Sequence, residues 1–149
     1  MDSLKYNTQV EKWDVFEVEV KGKTDKNPFT DYQIQGVFTG KNETVTVDGF
    51  YDGNGIYKVR FMPSFEGDYK FQVTGSFSEE NYAGNFKVTP ASSENHGPVR
   101  VANTWHFAYE DGTPYYSIGT TCYVWDLQSD ERIAQTLETL KNSAFNKIR

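Results

Sequence analysis

The chain has one cysteine, Cys122, so no disulfide can form within it and the fold must rest on packing. Its two histidines, His96 and His106, have no paired cysteines or acidic cluster at ligand spacing. No metal site and no cofactor are therefore expected. Lys and Arg number 15 against 21 Asp and Glu, a net charge of -6, and no basic stripe stands out. That balance argues against a nucleic-acid partner. No apolar run reaches the roughly 20 residues that cross a bilayer, so no membrane partner is expected. The opening Met1-Asp2-Ser3-Leu4-Lys5-Tyr6 lacks the apolar stretch of a signal peptide. A cytoplasmic location is the expectation, with secretion left open if a leader was removed. Asn42-Glu43-Thr44 matches a glycosylation sequon, which has meaning only in a secreted protein. There is no internal repeat and no low-complexity tract.

Aromatic residues are plentiful, at 16% of the chain. Tyr and Phe favour strands, so a mainly β beginning is expected. Residues 1–90 repeatedly show period-2 alternation. Phe16, Val18 and Val20 alternate with Glu17, Glu19 and Lys21; Tyr57, Val59 and Phe61 with Lys58 and Arg60; Tyr69, Phe71 and Val73 with Lys70, Gln72 and Thr74. Phe86 and Val88 flank Lys87, and weaker strands fit Tyr32 to Phe38 and Thr44 to Val47. Such patterning puts one face of each strand in a core and the other in water. Turn signals stand between the runs at Asn27-Pro28, Asp48-Gly49, Asp52-Gly53-Asn54-Gly55 and Glu66-Gly67-Asp68. Short strands at regular spacing with this punctuation predict a β-sandwich, its sheets meeting across Phe16, Val18, Tyr57, Val59, Phe61, Tyr69 and Phe71.

Residues 91–98 lose the periodicity and are rich in Ser, Asn, Gly and Pro, which reads as a linker. A second unit then opens at residue 99. Residues 99–109 read as an extended arm with Trp105 and Phe107 on one face. Asp111-Gly112 suits a type I′ turn, and Tyr115 to Gly119 reads as one short apolar strand. A helix is expected from about Asp130 to Asn142, with Ser129 as N-cap, Asp130 and Glu131 at its positive end and Lys141 at its negative end. Ile133, Leu137 and Leu140 form its apolar stripe. A second strand starts at Asn146 and runs to Arg149. The order β-loop-α-β is the first unit of a parallel α/β fold, cut short.

Several groups could carry chemistry, each beside a plainer reading. Thr120, Thr121, Cys122, Tyr123 and Trp125 lie at a strand's C-terminal end, where parallel α/β folds bind ligands; Thr121 and Trp125 could contact a sugar, or simply pack the loop. Cys122 more plainly reads as a small buried side chain than as a nucleophile. Asp48 to Gly55 resembles a calcium loop in composition, but the twelfth position from Asp52 is Pro63 rather than Glu, so hairpin chemistry fits better. Trp13, Tyr51 and Tyr82 could form a sugar-stacking platform or belong to the core. Arg149 could sit at a strand mouth or be an ordinary surface arginine.

Residues 10–73, especially Gly49-Phe50-Tyr51-Asp52-Gly53, Tyr57-Lys58-Val59-Arg60-Phe61-Met62-Pro63 and Glu66-Gly67-Asp68-Tyr69, resemble the N-terminal β-sandwich domain of unknown function that precedes a group of bacterial proteins assigned as glycoside hydrolases. Asp111 to Thr121 resembles the opening of their (β/α)8 barrel. Phe145-Asn146-Lys147-Ile148-Arg149 resembles the second barrel strand of the retaining clan that includes cellulases and mannanases. The resemblance implies an immunoglobulin-like sandwich (1–90), a linker (91–98) and a truncated β-α-β start of a TIM barrel (99–149). It implies a parent enzyme acting on β-linked plant polysaccharide or oligosaccharide, with Arg149 supporting the nucleophilic carboxylate. Retaining hydrolysis needs two carboxylates about 5–5.5 Å apart. In that clan they stand on later strands, so no residue here is catalytic and this chain by itself is expected to be inactive. The rival expectations are a carbohydrate-binding module without catalysis and an immunoglobulin-like interaction domain. The open second unit is expected to dock on the sandwich or on another copy of the chain.

Overall fold

The computed structural model describes residues 4–149, mainly β, with a single α-helix among them. The chain forms two compact units, Met1–Pro98 and Val99–Arg149.

The first unit contains β1 (Leu4–Tyr6), β2 (Gln9–Glu11), β3 (Phe16–Lys21), β4 (Ile34–Thr39), β5 (Thr44–Asp48), β6 (Phe50–Gly53), β7 (Ile56–Phe61), β8 (Gly67–Gly75) and β9 (Asn81–Thr89). They make a four-stranded sheet, β1-β3-β7-β6, and a five-stranded sheet, β2-β9-β8-β4-β5. All pairs are antiparallel except β2 with β9, where Gln9 lies opposite Lys87 and Glu11 opposite Thr89. With β1 and β2 as one split first strand A, β3 as B, β4 as C, β6 as D, β7 as E, β8 as F and β9 as G, the sheets are ABED and CFG, with β5 an extra edge strand beside C, the strand order of an immunoglobulin-like sandwich.

Alternation along the strands builds the core, as the sequence pattern predicts. Phe16, Val18, Val20, Tyr57, Val59 and Phe61 face inward from the four-stranded sheet, and Phe38, Tyr69, Phe71, Val73, Phe86 and Val88 from the other; all are buried. Rings interlock between the sheets: Phe16 stacks on Phe86 at 3.7 Å and 11°, and Phe38 on Phe61 at 4.5 Å and 8°. Each such side chain contributes roughly 1.5–3 kcal/mol through burial. Phe77, outside every expected strand, is also buried and stacks on Tyr57 at 4.1 Å.

Asp48-Gly49 is not a turn between paired strands. β5 belongs to one sheet and β6 to the other, and the chain crosses between them at Gly49. The Gly49 amide donates to the Ile34 carbonyl at 2.8 Å. A Cβ there would fall on the Lys58 carbonyl oxygen and 2.8 Å from methyl groups of Ile34 and Val59. Only a bare backbone fits, so this glycine is explained by close approach. Gly53, Asn54 and Gly55 do form the expected turn, with φ of 93°, 51° and 77°.

On the outer face of the four-stranded sheet, Lys58 reaches Asp52 at 2.8 Å, Glu17 at 3.2 Å and Glu19 at 3.6 Å, while Arg60 meets Glu17 at 2.6 Å. Asp52 therefore serves an ion-pair ladder. Residues 91–98, expected as a linker, are tied to the sandwich by Glu11. Its carboxylate accepts from Asn95 Nδ2 at 2.7 Å and from the Ser92 amide at 2.9 Å.

The second unit departs from the sequence expectation in three places. Residues 99–109 form no arm; they fold into a hairpin of β10 (Val99–Ala102) and β11 (His106–Tyr109), closed by Asn103 and Thr104 at φ 48° and 66°. The Asp111-Gly112 turn is not type I′, because only Gly112 has positive φ. The Gly112 amide donates to the Tyr109 carbonyl at 2.9 Å and the Tyr109 amide to the Thr113 carbonyl at 2.8 Å. That is a three-residue hairpin loop with glycine in the left-handed bulge position. The apolar strand from Tyr115 to Gly119 is two pieces. β12 (Pro114–Tyr115) pairs with β11, and β13 (Gly119–Thr120) pairs with a later strand, leaving Tyr116 and Ile118 exposed between them.

After a 3-10 turn at Trp125–Leu127 comes α1 (Asp130–Lys141), then β14 (Lys147–Ile148). Ser129 caps the helix as expected, its Oγ accepting from the Arg132 amide at 3.4 Å. β13 and β14 are parallel, with Gly119 opposite Lys147 and Thr120 opposite Ile148. The stripe Ile133, Leu137 and Leu140 is present but open: no helix residue is buried, and Leu137 is 48% exposed. No helix among the described residues is long and apolar enough to cross a membrane.

Candidate functional site

The backbone of the second unit brings together two of the three residues singled out for substrate binding. Hydrogen bonding continues past the assigned ends of β13 and β14. The Arg149 amide donates to the Thr120 carbonyl at 3.0 Å, and the Cys122 amide donates to the Arg149 carbonyl at 3.1 Å. Continuing the register puts Thr121 opposite Arg149, so their side chains leave the ladder on the same side. Lys147, two residues earlier, shares that side: its Cε would lie 2.8 Å from a Cβ built on Gly119. The edge therefore presents Thr121, Lys147 and Arg149 together. Thr121 and Arg149 are exposed, and the Arg149 guanidinium makes no ion pair among the described residues. Trp125 lies beyond them in the 3-10 turn, half-buried, after Val124 at φ 49°. A β-branched residue in that region is uncommon and fixes the path of this loop.

Asn146 organises the same edge, and the sequence reading passed over it as merely the start of a strand. Its Oδ1 accepts from the Ile118 amide at 3.0 Å and the Tyr115 hydroxyl at 3.3 Å, and its Nδ2 donates to the Tyr116 carbonyl at 2.8 Å. One side-chain amide thus mimics a strand neighbour for the segment where the chain changes partners. The available signal was an Asn before an apolar strand, a residue able to replace backbone hydrogen bonds.

The proposed platform on the sandwich does not form. Tyr82 belongs to the core, at 7% exposed. Tyr51 packs between Phe29 and Tyr57, its hydroxyl accepting from the Gly55 amide at 3.0 Å. The ring of Trp13 is covered by the Lys12 ammonium at 4.3 Å. The alternation that makes a strand also turns its aromatics inward.

Among the open grooves of the described residues, two stand beside exposed aromatic side chains. One, of about 600 Å³ in the second unit, is bordered by Trp105, His106, Phe107, Tyr116 and Ser117. The other, of about 700 Å³ on the sandwich, runs beside Phe29 and Tyr32. There the Tyr32 hydroxyl donates to Asp25, which pushes its pKa up to about 12 and holds the carboxyl of Asp25 below its usual range. Tyr69, elsewhere on the sandwich, titrates well above an ordinary tyrosine because it is buried and because its hydroxyl donates a hydrogen bond to Glu43 Oε1 at 2.5 Å. Cys122 is half-buried. Among the described residues no three His, Cys, Asp or Glu side chains gather as metal ligands would.

Residues 9–76 match the model of a domain of unknown function, DUF5060. Nearly the whole chain, 96%, superposes on the crystal structure of a putative glycoside hydrolase from Bacteroides vulgatus ATCC 8482, with 39% sequence identity and a TM-score of 0.89. The chain spans 28% of that protein's length. The Lin-41 filamin domain matches over 56% of this chain and 85% of its own, at 15% identity and a TM-score of 0.42. No curated protein matches the chain in sequence.

Proposed function

We propose that this chain is the N-terminal portion of a retaining glycoside hydrolase, with an immunoglobulin-like sandwich preceding the opening β-α-β unit of a (β/α)8 barrel. The substrate class is a plant-type polysaccharide or its oligosaccharides. The observation that carries the reading is the parallel β13-α1-β14 arrangement, whose strand ends present Thr121 and Arg149 on one side. Ligand sites of parallel α/β folds lie at that end of the strands. The extensive likeness to the Bacteroides vulgatus protein supports the same reading. Arg149 would hold the nucleophilic carboxylate in its charged form, while Thr121 and Trp125 would line the sugar cleft. Neither catalytic carboxylate has a counterpart among the residues of this chain.

The test is reducing-sugar release from a panel of β-glucans, xylans and mannans by a protein carrying this chain within its whole reading frame. Turnover that falls on the order of 10²–10³-fold in Arg149→Ala, with an unchanged melting temperature, is the expected result. No turnover on any β-linked glycan, or full activity in Arg149→Ala, would sink the proposal. The open stripe of α1 and the exposed apolar residues of the second unit also favour contact between copies when the 149 residues are made alone.

A further inference from the structure

Phe29 is 73% exposed, more than any other large apolar residue among the described residues of the first unit. A single exposed apolar side chain is ordinary; the way this one is held is not. Its loop, between β3 and β4, is braced from within. Asn27 Oδ1 accepts from the Phe29 amide at 3.1 Å, the Asn27 carbonyl accepts from the Asp31 amide at 2.9 Å, and Asp31 Oδ2 accepts from the Asn27 amide at 3.1 Å. The ring stands on Tyr51 edge to face, at 5.0 Å and 89°. The loop thus fixes a phenyl group in water, beside the groove of about 700 Å³.

Much of the remaining lining of that groove is polar. Gln33, Gln35, Asp48, Thr74 and Ser76 border it, and Gln35 Nε2 donates to Asp48 Oδ1 at 2.9 Å. That bond orients the carboxylate and leaves acceptor capacity on it, while the Gln35 carbonyl oxygen and the Thr74 hydroxyl add further hydrogen-bonding groups. No lysine or arginine borders the groove.

We infer that this groove is a carbohydrate subsite on the sandwich, taking an uncharged glycan chain with one sugar face against Phe29 and its hydroxyls on Asp48, Gln35 and Thr74. The inference rests on the glycan-directed reading above but does not need hydrolysis. The lining selects the occupant. With Asp48 present and no cation, an anionic ligand would be repelled. A partner helix needs a continuous apolar groove, and polar side chains interrupt this one. A neutral sugar ring offers a face of polarised C–H groups to the negative face of an aromatic ring and a rim of hydroxyls to amides and carboxylates.

The experiment is affinity electrophoresis and calorimetry of the 149-residue chain with mixed-linkage β-glucan, xyloglucan and glucomannan. At least one of these is expected to retard the chain. Phe29→Ala is expected to weaken that binding about ten-fold or more, as truncating an anchoring aromatic does. Phe29→Trp should retain it, Asp48→Asn should weaken it, and Trp105→Ala should leave it unchanged. No retention by any of the three glycans overturns the inference, as does retention that survives Phe29→Ala. Retention by this chain with no turnover by the longer protein would sink the hydrolase proposal alone; turnover without retention would sink this one alone.

Discussion

Phe38→Ala removes a phenyl ring from the centre of the sandwich, and the structure allows its cost to be worked out. Phe38 is 0% exposed. It belongs to the five-stranded sheet, yet its ring partners include two from the other sheet: Phe61, stacked at 4.5 Å, and Phe16, edge-on at 6.0 Å and 83°. Phe71, from its own sheet, is tilted at 6.2 Å. With neighbours on both sides fixed by strand pairing, the cavity cannot close, so the full cost of about 3–5 kcal/mol is expected. A domain of this size has roughly 5–15 kcal/mol in total. At a urea slope of about 1–2 kcal/mol/M the midpoint should fall by roughly 1.5–5 M. The assay is equilibrium urea unfolding in a Trp105→Phe, Trp125→Phe background, where Trp13 is the remaining tryptophan and reports on the sandwich. Phe29→Ala is the control: it deletes the same atoms from an exposed site and should cost less than about 1 kcal/mol. Equal midpoints for the two variants would refute the claim that inter-sheet ring packing carries this fold.

Gly49→Ala should destabilise the sandwich by about 1–3 kcal/mol, because its methyl would collide with the Lys58 backbone where the chain crosses between sheets; an unchanged urea midpoint would contradict that. The carboxyl of Glu11 is held below the ordinary glutamate value of about 4.5, chiefly by the Asn95 side-chain amide and then by the Ser92 amide. A lowered acid pKa means the contribution is complete above about 4.5 and is lost as pH falls through the lower folded value. An NMR titration of the Ser92 amide should therefore show its midpoint below 4.5, and a midpoint above it would remove the clamp. Asn146→Ala should speed hydrogen exchange at Ile118 and cost about 1–2 kcal/mol in the second unit, whereas Asn146→Asp should retain the Ile118 bond and lose the one to the Tyr116 carbonyl. Equal Ile118 exchange in the parent and Asn146→Ala would show that the amide does not organise this edge.

What was legible in the sequence followed from periodicity and local caps. Phe16, Val18 and Val20 announce their buried face by alternation alone, and Ser129 announces a helix start. The unread parts all depend on which element meets which. Nothing local distinguishes Asp48-Gly49 as a crossing between sheets from Asp48-Gly49 as a hairpin turn; the distinction lies in the distant carbonyls of Ile34 and Lys58. Tyr115 to Gly119 reads as one strand because its residues favour strands, but its two ends pair with different partners. Leu4 to Tyr6 and Gln9 to Glu11 are too short to show a period, and they become strands only because β3 and β9 offer edges. At the candidate site, Thr121 was singled out by its place at a strand end and Arg149 by the family resemblance alone; that the two share one side of a ladder was not legible, because it depends on the β13-β14 register. Phe29 was hidden inside a turn signal, since composition shows that a loop is present and not which side chain it holds in water.

The two units differ in how far their own residues stabilise them, and this separates binding from chemistry. α1 has its cap, its charge bias and its stripe, all local features, yet a helix of 12 residues is marginal without tertiary cover. Ile133, Leu137 and Leu140 receive little from the described residues, so the strand ends beside them are ordered chiefly by the β13-β14 ladder and the Asn146 bracket. The role proposed for Thr121 and Arg149 thus depends on how firmly that thin ladder is covered. The Phe29 groove instead stands on a sandwich core whose rings are packed from both sheets. The glycan contact proposed there rests on the sandwich alone, so loss of turnover and loss of glycan retention should follow different substitutions.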